Sequence, residues 1–150
     1  MQSPSDLPKH TGYWMRMVSN AVSHDFARKI AAEDVTVAEW VFMRALYDEE
    51  ALPPSALAAK MGMTKGAISK LADRLVSKGL IARAEHETDR RAHSLFLTSA
   101  GREKVPRLAS LADLNETEYF GLLTEKEHAA LDQILKALVE RRGLETIPID

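Results

Sequence analysis

The sequence has no cysteine among its 150 residues. This absence excludes disulfide bonds, cysteine-based zinc sites and thiol redox sensing. Long hydrophobic runs are missing as well, because no uncharged stretch approaches the roughly 20 residues that a helix needs to cross a bilayer. The N-terminus lacks a basic segment followed by an apolar one. We therefore expect no signal peptide, no membrane contact and a cytoplasmic protein.

Signatures of catalysis and of cofactor binding are also missing. The sequence contains no P-loop, no dinucleotide-binding glycine pattern and no nucleophile elbow. Its five histidines are scattered and do not show the spacing of metal ligands. We therefore predict that the protein is not an enzyme and uses neither a metal nor a cofactor.

The net charge is only −2, but the charge is distributed unevenly. Residues 62–93 carry seven lysines and arginines against four acidic residues, so this window is positive and the remainder is negative. A basic segment in a mildly acidic chain is typical of a protein that binds a polyanion. A solvated charged surface is the alternative interpretation.

Periodicity and capping signals predict a mainly helical chain with one β-hairpin. The predicted elements are helices over 12–33, 36–48, 55–61 and 65–78, strands over 80–85 and 93–97 joined by a long charged loop, and a helical C-terminal third whose last helix opens at Thr124. Pro106 lies inside that third, where it is expected to kink a helix or to mark a late start.

The first and last helices carry more apolar surface than one small lobe can bury. In the first helix, apolar residues recur around more than one face, beginning at Trp14 and Met17. The last helix has an apolar stripe that includes Leu131, Ile134 and Leu135. Such helices are expected to pack against a second chain as well as their own core.

The helices over 55–61 and 65–78 form a helix-turn-helix pattern. Gly62 permits the tight turn between them, and the second helix has one apolar face and short polar residues near its start. Base edges in the major groove are read from this end of such a helix. The candidate DNA-reading residues are Thr64, Lys65, Gly66 and Ser69. A helical corner packed in a core is the alternative.

The hairpin that follows makes the pattern a winged one. Arg90 and Arg91 lie at its polar tip, from which they can reach phosphates or an adjacent minor groove.

At these residues the chain resembles the MarR family of bacterial transcriptional regulators. The resemblance rests on the LA…G and DRL…KGL pattern of residues 57–83, the DRR of residues 89–91 and the LTSAG of residues 97–101. It implies a mainly α fold with a small β-hairpin wing, in which 36–98 form a winged helix-turn-helix lobe. It also implies a homodimer whose dimerisation body is built from 12–33 and 102–142.

The resemblance further assigns roles to individual residues. It places Asp89 and Arg91 on the wing, with Arg91 in the minor groove, and it leaves Arg74 either contacting phosphate or holding the lobe together. Lys65 and Lys70 are the only long basic residues near the start of the recognition helix. Affinity for double-stranded DNA should therefore depend on the dimer, the wing and the DNA shape as well.

The resemblance also implies a pocket for a small aromatic or phenolic effector. Trp14 and Trp40, with Arg16 and Arg44 as charge partners, are the candidate ligand-binding residues, since an apolar cavity with a cation suits an aromatic anion. Core packing is the alternative for the two tryptophans. The resemblance thus implies a homodimeric regulator, either repressor or activator, on a pseudo-palindromic operator, and we expect a repressor that a small aromatic ligand releases. A helical protein-interaction module without DNA binding is the rival.

Overall fold

A computed structural model describes the backbone of residues 3–86 and 89–145, and the side chains of the same residues except 86–92. The elements are α1 (Thr11–Ala31), α2 (Val37–Tyr47), α3 (Pro54–Met61), α4 (Lys65–Ser77), β1 (Ile81–His86), β2 (Asp89–Leu97), α5 (Ser99–Phe120) and α6 (Glu125–Arg142). The predicted mainly α fold with one hairpin is confirmed. None of the described helices is long and apolar enough to span a membrane.

Side-chain caps explain where most of these helices begin. Thr36 accepts a hydrogen bond from the backbone nitrogen of Glu39, and the Glu39 side chain accepts one from the Thr36 backbone in return. Thr124 and Glu127 form the same capping box at the start of α6. Gly62 ends α3 with a left-handed φ of 63°, a conformation that costs glycine little. The predicted starts of α2 and α6 are therefore confirmed.

The strands of the hairpin are longer than the sequence predicts. β1 continues to His86 and β2 begins at Asp89, so the long charged loop expected over 86–91 is wrong. Ile81 pairs with Leu97 at the base, and the register shifts after Glu85. Cross-strand hydrogen bonds satisfy the backbone of paired strands whatever their side chains, so polar residues do not by themselves predict a loop.

Pro106 does not mark a late helix start. α5 begins at Ser99 and runs through Pro106 to Phe120. The start is fixed by Thr98, whose hydroxyl accepts from the backbone nitrogen of Gly101 and donates to the Gly79 carbonyl. Proline removes one backbone hydrogen bond inside a helix. That loss is tolerated here in a helix that is anchored at its N-terminal end.

One apolar core joins α2, α3, α4, the hairpin and the first half of α5. The core residues that are almost fully buried include Phe42, Met43, Leu46, Leu57, Met61, Ile68, Leu75, Ile81, Leu95, Val105 and Leu108. Leu52 adds a backbone bridge to Leu95 at the hairpin base, with hydrogen bonds of 2.9 and 2.8 Å. This core holds α4 and the hairpin together as one lobe.

The helices outside this lobe leave much apolar surface uncovered in the single chain. No residue of α6 is buried, and only Ile30 is buried in α1. The exposed apolar side chains of α1, α5 and α6 include Trp14, Met15, Met17, Val18, Leu114, Ile134, Leu138 and Val139. The predicted excess of apolar surface on the first and last helices is therefore confirmed.

Gly101 provides a test of how closely α5 approaches the hairpin base. Its backbone is buried, and a Cβ there would overlap the Leu80 carbonyl oxygen, whereas a Cβ at Gly66 on α4 would meet no atom within 4 Å. We expect Gly101→Ala to lower the free energy of unfolding by about 1–3 kcal/mol. Gly66→Ala, the control, should raise it by up to about 1 kcal/mol. Urea unfolding of both variants measures the difference, and equal stability of Gly101→Ala and wild type would contradict the described packing.

Candidate nucleic-acid interface

The turn between α3 and α4 presents the start of α4 at the surface. Gly62 reverses the chain, and the backbone nitrogen of Met63 donates to the Ala58 carbonyl at 3.0 Å. Thr64 then caps α4 by accepting from the backbone nitrogen of Ala67 at 3.1 Å. The face of α4 that includes Ile68 is buried in the core. The opposite face is therefore held outward by the packing of the helix itself.

The residues predicted to read DNA from α4 are all exposed and lie together. They are Thr64, Lys65, Gly66, Ser69 and Lys70. Residues four apart stack on one side of a helix, which places 65 with 69 and 66 with 70. Across the described side chains, no carboxylate forms an ion pair with either lysine. Lys65 thus stands in the first turn of α4, at the positive end of the helix dipole, and Lys70, also exposed, lies about one turn further along the helix. Two cations placed near a helix N-terminus favour an anion such as phosphate.

Arg74 has a different environment from the other predicted DNA-binding residues. Its guanidinium donates to the Thr36 hydroxyl at 3.4 Å and lies 3.5 Å from the Glu39 carboxylate. About half of the side chain is exposed. Two roles were open for Arg74, and these contacts favour holding the lobe together over contacting phosphate.

The hairpin is tied to α4 by an ion pair that the sequence patterns did not reveal. Arg83 of β1 donates to the Asp73 carboxylate on α4. Both side chains are exposed, so this ion pair links the hairpin to α4 only weakly. The signal that could have indicated it is the acid of the DRL motif followed by a basic residue in the next strand. The side chains of Asp89, Arg90 and Arg91 lie outside the described residues, and only their backbone is placed, in β2.

Glu39 is a second residue whose environment the sequence analysis missed. Its position three residues after Thr36 indicates only a capping box, yet its side chain is 0% exposed. It shares a helix face with Phe42, Met43 and Leu46, all buried, and that spacing is the signal that was available. Burial alone would raise the pKa of this carboxyl group, but hydrogen bonds from the Thr36 backbone and the Lys78 ammonium outweigh it and hold the pKa below its ordinary value.

A cleft of about 220 Å³ opens between α1, α2 and α5. Its lining residues are Val22, Ser23, Phe26, Val37, Ala112, Asn115 and Glu116. The Trp40 ring packs edge-on against Phe26, with 6.5 Å between ring centroids. Asn115 is fixed in place because it donates to the Val22 carbonyl at 3.1 Å and accepts from Lys29 at 2.9 Å. The cleft is therefore a mainly apolar site with a small ordered polar patch.

The structure does not bring the four predicted ligand-binding residues together within one chain. Trp14 is half-exposed, and its indole nitrogen donates to the Pro8 carbonyl. It precedes Phe26 by twelve residues on α1, which places the two residues about 18 Å apart along the helix. Arg44 pairs with Asp48 at the far end of α2, and Arg16 is exposed on α1. Trp40 alone adjoins the cleft, since the N-terminal half of α1 extends beyond the lobe.

Comparison with known proteins identifies the same region of the chain. The model of the MarR family matches residues 35–93, which span α2 to the second strand of the wing. The chain is 30% identical over 128 residues to a protein named as a transcriptional regulator for the hcr operon of Thauera aromatica, an alignment covering 85% of this chain and 77% of that protein.

Two solved structures have a similar fold. One is a mutant MarR from Escherichia coli in complex with operator DNA, with 25% identity, a TM-score of 0.75 and coverage of 85% of this chain and 92% of that one. The other is BpsR from Bordetella bronchiseptica, described with regulation of its DNA binding by 6-hydroxynicotinic acid, with 23% identity and a TM-score of 0.76. That alignment covers 91% of this chain and 97% of BpsR.

Proposed function

Because the chain belongs to the MarR family and is a DNA-binding transcriptional regulator rather than an enzyme, we propose that it acts as a homodimeric repressor on a pseudo-palindromic operator. In this proposal α4 of each protomer enters the major groove and the wing flanks it. The observation that carries the proposal is the start of α4, where Thr64, Lys65, Ser69 and Lys70 are exposed together above a buried apolar face. A helical protein-interaction module would not require unpaired lysines at this place.

Residues 12–33 and 102–142 form the dimerisation body in this proposal, and 36–98 form the DNA-binding lobe. The support is the division of apolar surface between the two parts. The core of the lobe is completed by Ile30 of α1 and by Val105 and Leu108 at the start of α5, whereas α6 has no buried residue and α1 has only Ile30. Helices with this much exposed apolar surface gain most by packing against the equivalent helices of a second copy, and a two-fold dimer then demands a two-fold DNA site.

The cleft between α1, α2 and α5 is the proposed site for a small aromatic ligand that releases the DNA. It replaces Trp14, Arg16 and Arg44 as ligand contacts and retains Trp40 as a neighbour through Phe26. Among the described residues that line the cleft, none is a cation, and Glu116 is an acid. The Lys29 ammonium, which donates to Asn115 beside the cleft, is already paired with Glu118. We therefore propose an uncharged aromatic ligand with hydrogen-bonding groups, because a carboxylate would be repelled by Glu116.

Lysines at the start of α4 should determine the salt dependence of DNA binding. Each phosphate contact contributes about 0.9 to the slope of log affinity against log salt, so a dimer that loses one contact per protomer loses about 1.8. We expect the slope to become shallower by about 1.8 in Lys65→Ala or in Lys70→Ala. Fluorescence anisotropy on a duplex selected from random DNA measures it. Lys126→Ala on α6 is the control and should keep the wild-type slope. If both α4 variants also keep it, α4 is not the DNA interface.

Charging the apolar stripe of α6 should separate the dimer and abolish operator binding together. Leu135→Glu places a carboxylate where the partner helix is proposed to pack, and burying an unpaired charge is strongly unfavourable. Lys136→Glu adds an acid at the next position, which is exposed, and should leave the dimer intact. Light scattering coupled to size exclusion measures the mass. A Leu135→Glu monomer with wild-type operator affinity would contradict the dimer proposal.

Glu116 in the lining of the cleft should make a neutral ligand bind more tightly than a negatively charged one. We expect 6-hydroxynicotinamide to bind more tightly than 6-hydroxynicotinic acid, and Glu116→Gln to reduce that difference. Trp40 lies against Phe26 of the cleft, so binding should change tryptophan fluorescence in Trp14→Phe but not in Trp40→Phe. Tighter binding of the acid by the wild type would show that the described lining does not select the ligand.

A further inference from the structure

One carboxylate oxygen links the start of α2 to the end of α4. Oε1 of Glu39 accepts hydrogen bonds from the Thr36 backbone nitrogen at 2.8 Å and from Nζ of Lys78 at 3.0 Å. The Arg74 guanidinium lies 3.5 Å from the same oxygen. Arg74 is in the last turn of α4 and Lys78 is its C-terminal cap. Glu39 therefore contacts both cations at the end of the recognition helix.

The same two cations have a second contact with the segment that leads into α2. Lys78 donates to the backbone carbonyl of Asp34 at 2.7 Å, and Arg74 donates to the Thr36 hydroxyl at 3.4 Å. Asp34 has a left-handed φ of 59°, which is uncommon for a residue with a side chain. We call these five residues, Asp34, Thr36, Glu39, Arg74 and Lys78, the polar joint.

Stability alone does not account for an ionised group at this place. A buried ion pair often contributes no more than an apolar side chain of similar volume. The second oxygen of Glu39, Oε2, is buried and has no hydrogen-bond partner within the described part of the chain, which is itself unfavourable. An apolar residue would avoid these costs but would lose the hydrogen bond from the Thr36 nitrogen, and a glutamine would keep that bond without a charge.

Hydrogen bonds supply a direction that apolar packing lacks. Apolar cores keep their stability under repacking but lose the uniqueness of their arrangement. α4 packs on the core through one apolar face that includes Ile68, Leu71 and Leu75, and outside the polar joint the Asp73–Arg83 ion pair, with both side chains partly exposed, links it to β1. Apolar contacts alone do not fix the exact rotation of such a helix. The polar joint anchors the C-terminal end of α4 through Arg74 and Lys78, and this anchoring holds the N-terminal end, which begins at Lys65, at one angle.

We propose that Glu39 is a positioning residue that, through Lys78 and Arg74, fixes the angle of α4 and so sets operator specificity without touching DNA. The inference rests on the proposed reading of DNA by α4. Base contacts require close alignment, whereas attraction to phosphate needs only charge. A loosened joint therefore weakens binding to the operator and leaves binding to unrelated DNA unchanged.

The test compares Glu39→Gln with wild type on two duplexes of equal length, one selected from random DNA by the wild type and one unrelated. Glutamine keeps the shape and an oxygen for the Thr36 nitrogen but removes the charge. We expect about tenfold weaker binding to the selected duplex, or about threefold for each misplaced helix of the dimer, with unchanged affinity for the unrelated duplex and an unchanged salt slope. The exposed Glu49→Gln, at the other end of α2, is the matched control and should behave as wild type.

The ratio of the affinity for the selected duplex to the affinity for the unrelated duplex distinguishes a positioning effect from a general loss of folded protein. A smaller folded fraction weakens binding to both duplexes equally and leaves the ratio unchanged. Lys78→Gln should lower the ratio as Glu39→Gln does, and the double variant should add little, because both changes break one joint. Lys78→Gln also serves as the independent test if Glu39→Gln does not fold.

Two outcomes would overturn the proposal. The first is that Glu39→Gln and Lys78→Gln both fold and both keep the affinity ratio of the wild type. The other is a lower salt slope in Lys78→Gln, which would make Lys78 a phosphate contact. If Lys65→Ala and Lys70→Ala lower the slope while Glu39→Gln keeps the ratio, the positioning role alone fails. If neither lysine variant changes the slope, the DNA-reading role of α4 fails.

Discussion

The burial of one face of α4 is the constraint on which the rest of the lobe depends. Ile68, Leu71 and Leu75 must enter the core, and the helix period then fixes which residues point outward. The short α3 and the turn at Gly62 determine where α4 begins, and the hairpin closes the core from the other side through Leu95 and Leu97. The polar start of α4 is therefore exposed as a consequence of apolar packing.

Apolar side chains are buried in one part of the chain and exposed in another. The lobe encloses its apolar side chains, whereas α6 and much of α1 present theirs outward. α1 and α5 are nevertheless joined by polar contacts, since Lys29 reaches Asn115 and Glu118, and the Tyr119 hydroxyl donates to the Ala21 carbonyl. The cleft lies beside this seam and against the start of α2, so it adjoins both the proposed dimerisation body and the DNA-binding lobe.

Local signals made most of the fold predictable. The caps at Thr36 and Thr124, the glycine after α3 and the apolar face of α4 each act within a few residues, and sequence periodicity reports them directly. The exposure of Thr64, Lys65, Gly66 and Ser69 at the start of α4 followed from the same periodicity. The length of the hairpin strands did not, because cross-strand pairing depends on a partner segment rather than on local polarity.

Tertiary contacts explain what the sequence could not predict. The polar joint unites residues nearly 40 positions apart, and the Asp73–Arg83 pair links a helix to a strand. Nothing in the spacing of Trp14 and Trp40 shows that α1 separates them by most of its length, so the predicted ligand set combined residues from two places. Such contacts depend on how the elements are arranged in space, which periodicity does not encode.

The central claim is that two copies of α4 enter the major groove of one DNA site. Methylation protection of guanine N7 on a duplex selected by the protein tests it most directly, because N7 lies in the major groove. We expect two protected major-groove segments whose centres are about one helical turn, roughly 10 base pairs or a multiple of it, apart. Bound DNA with a single protected segment, or with no protection in the major groove, would contradict it.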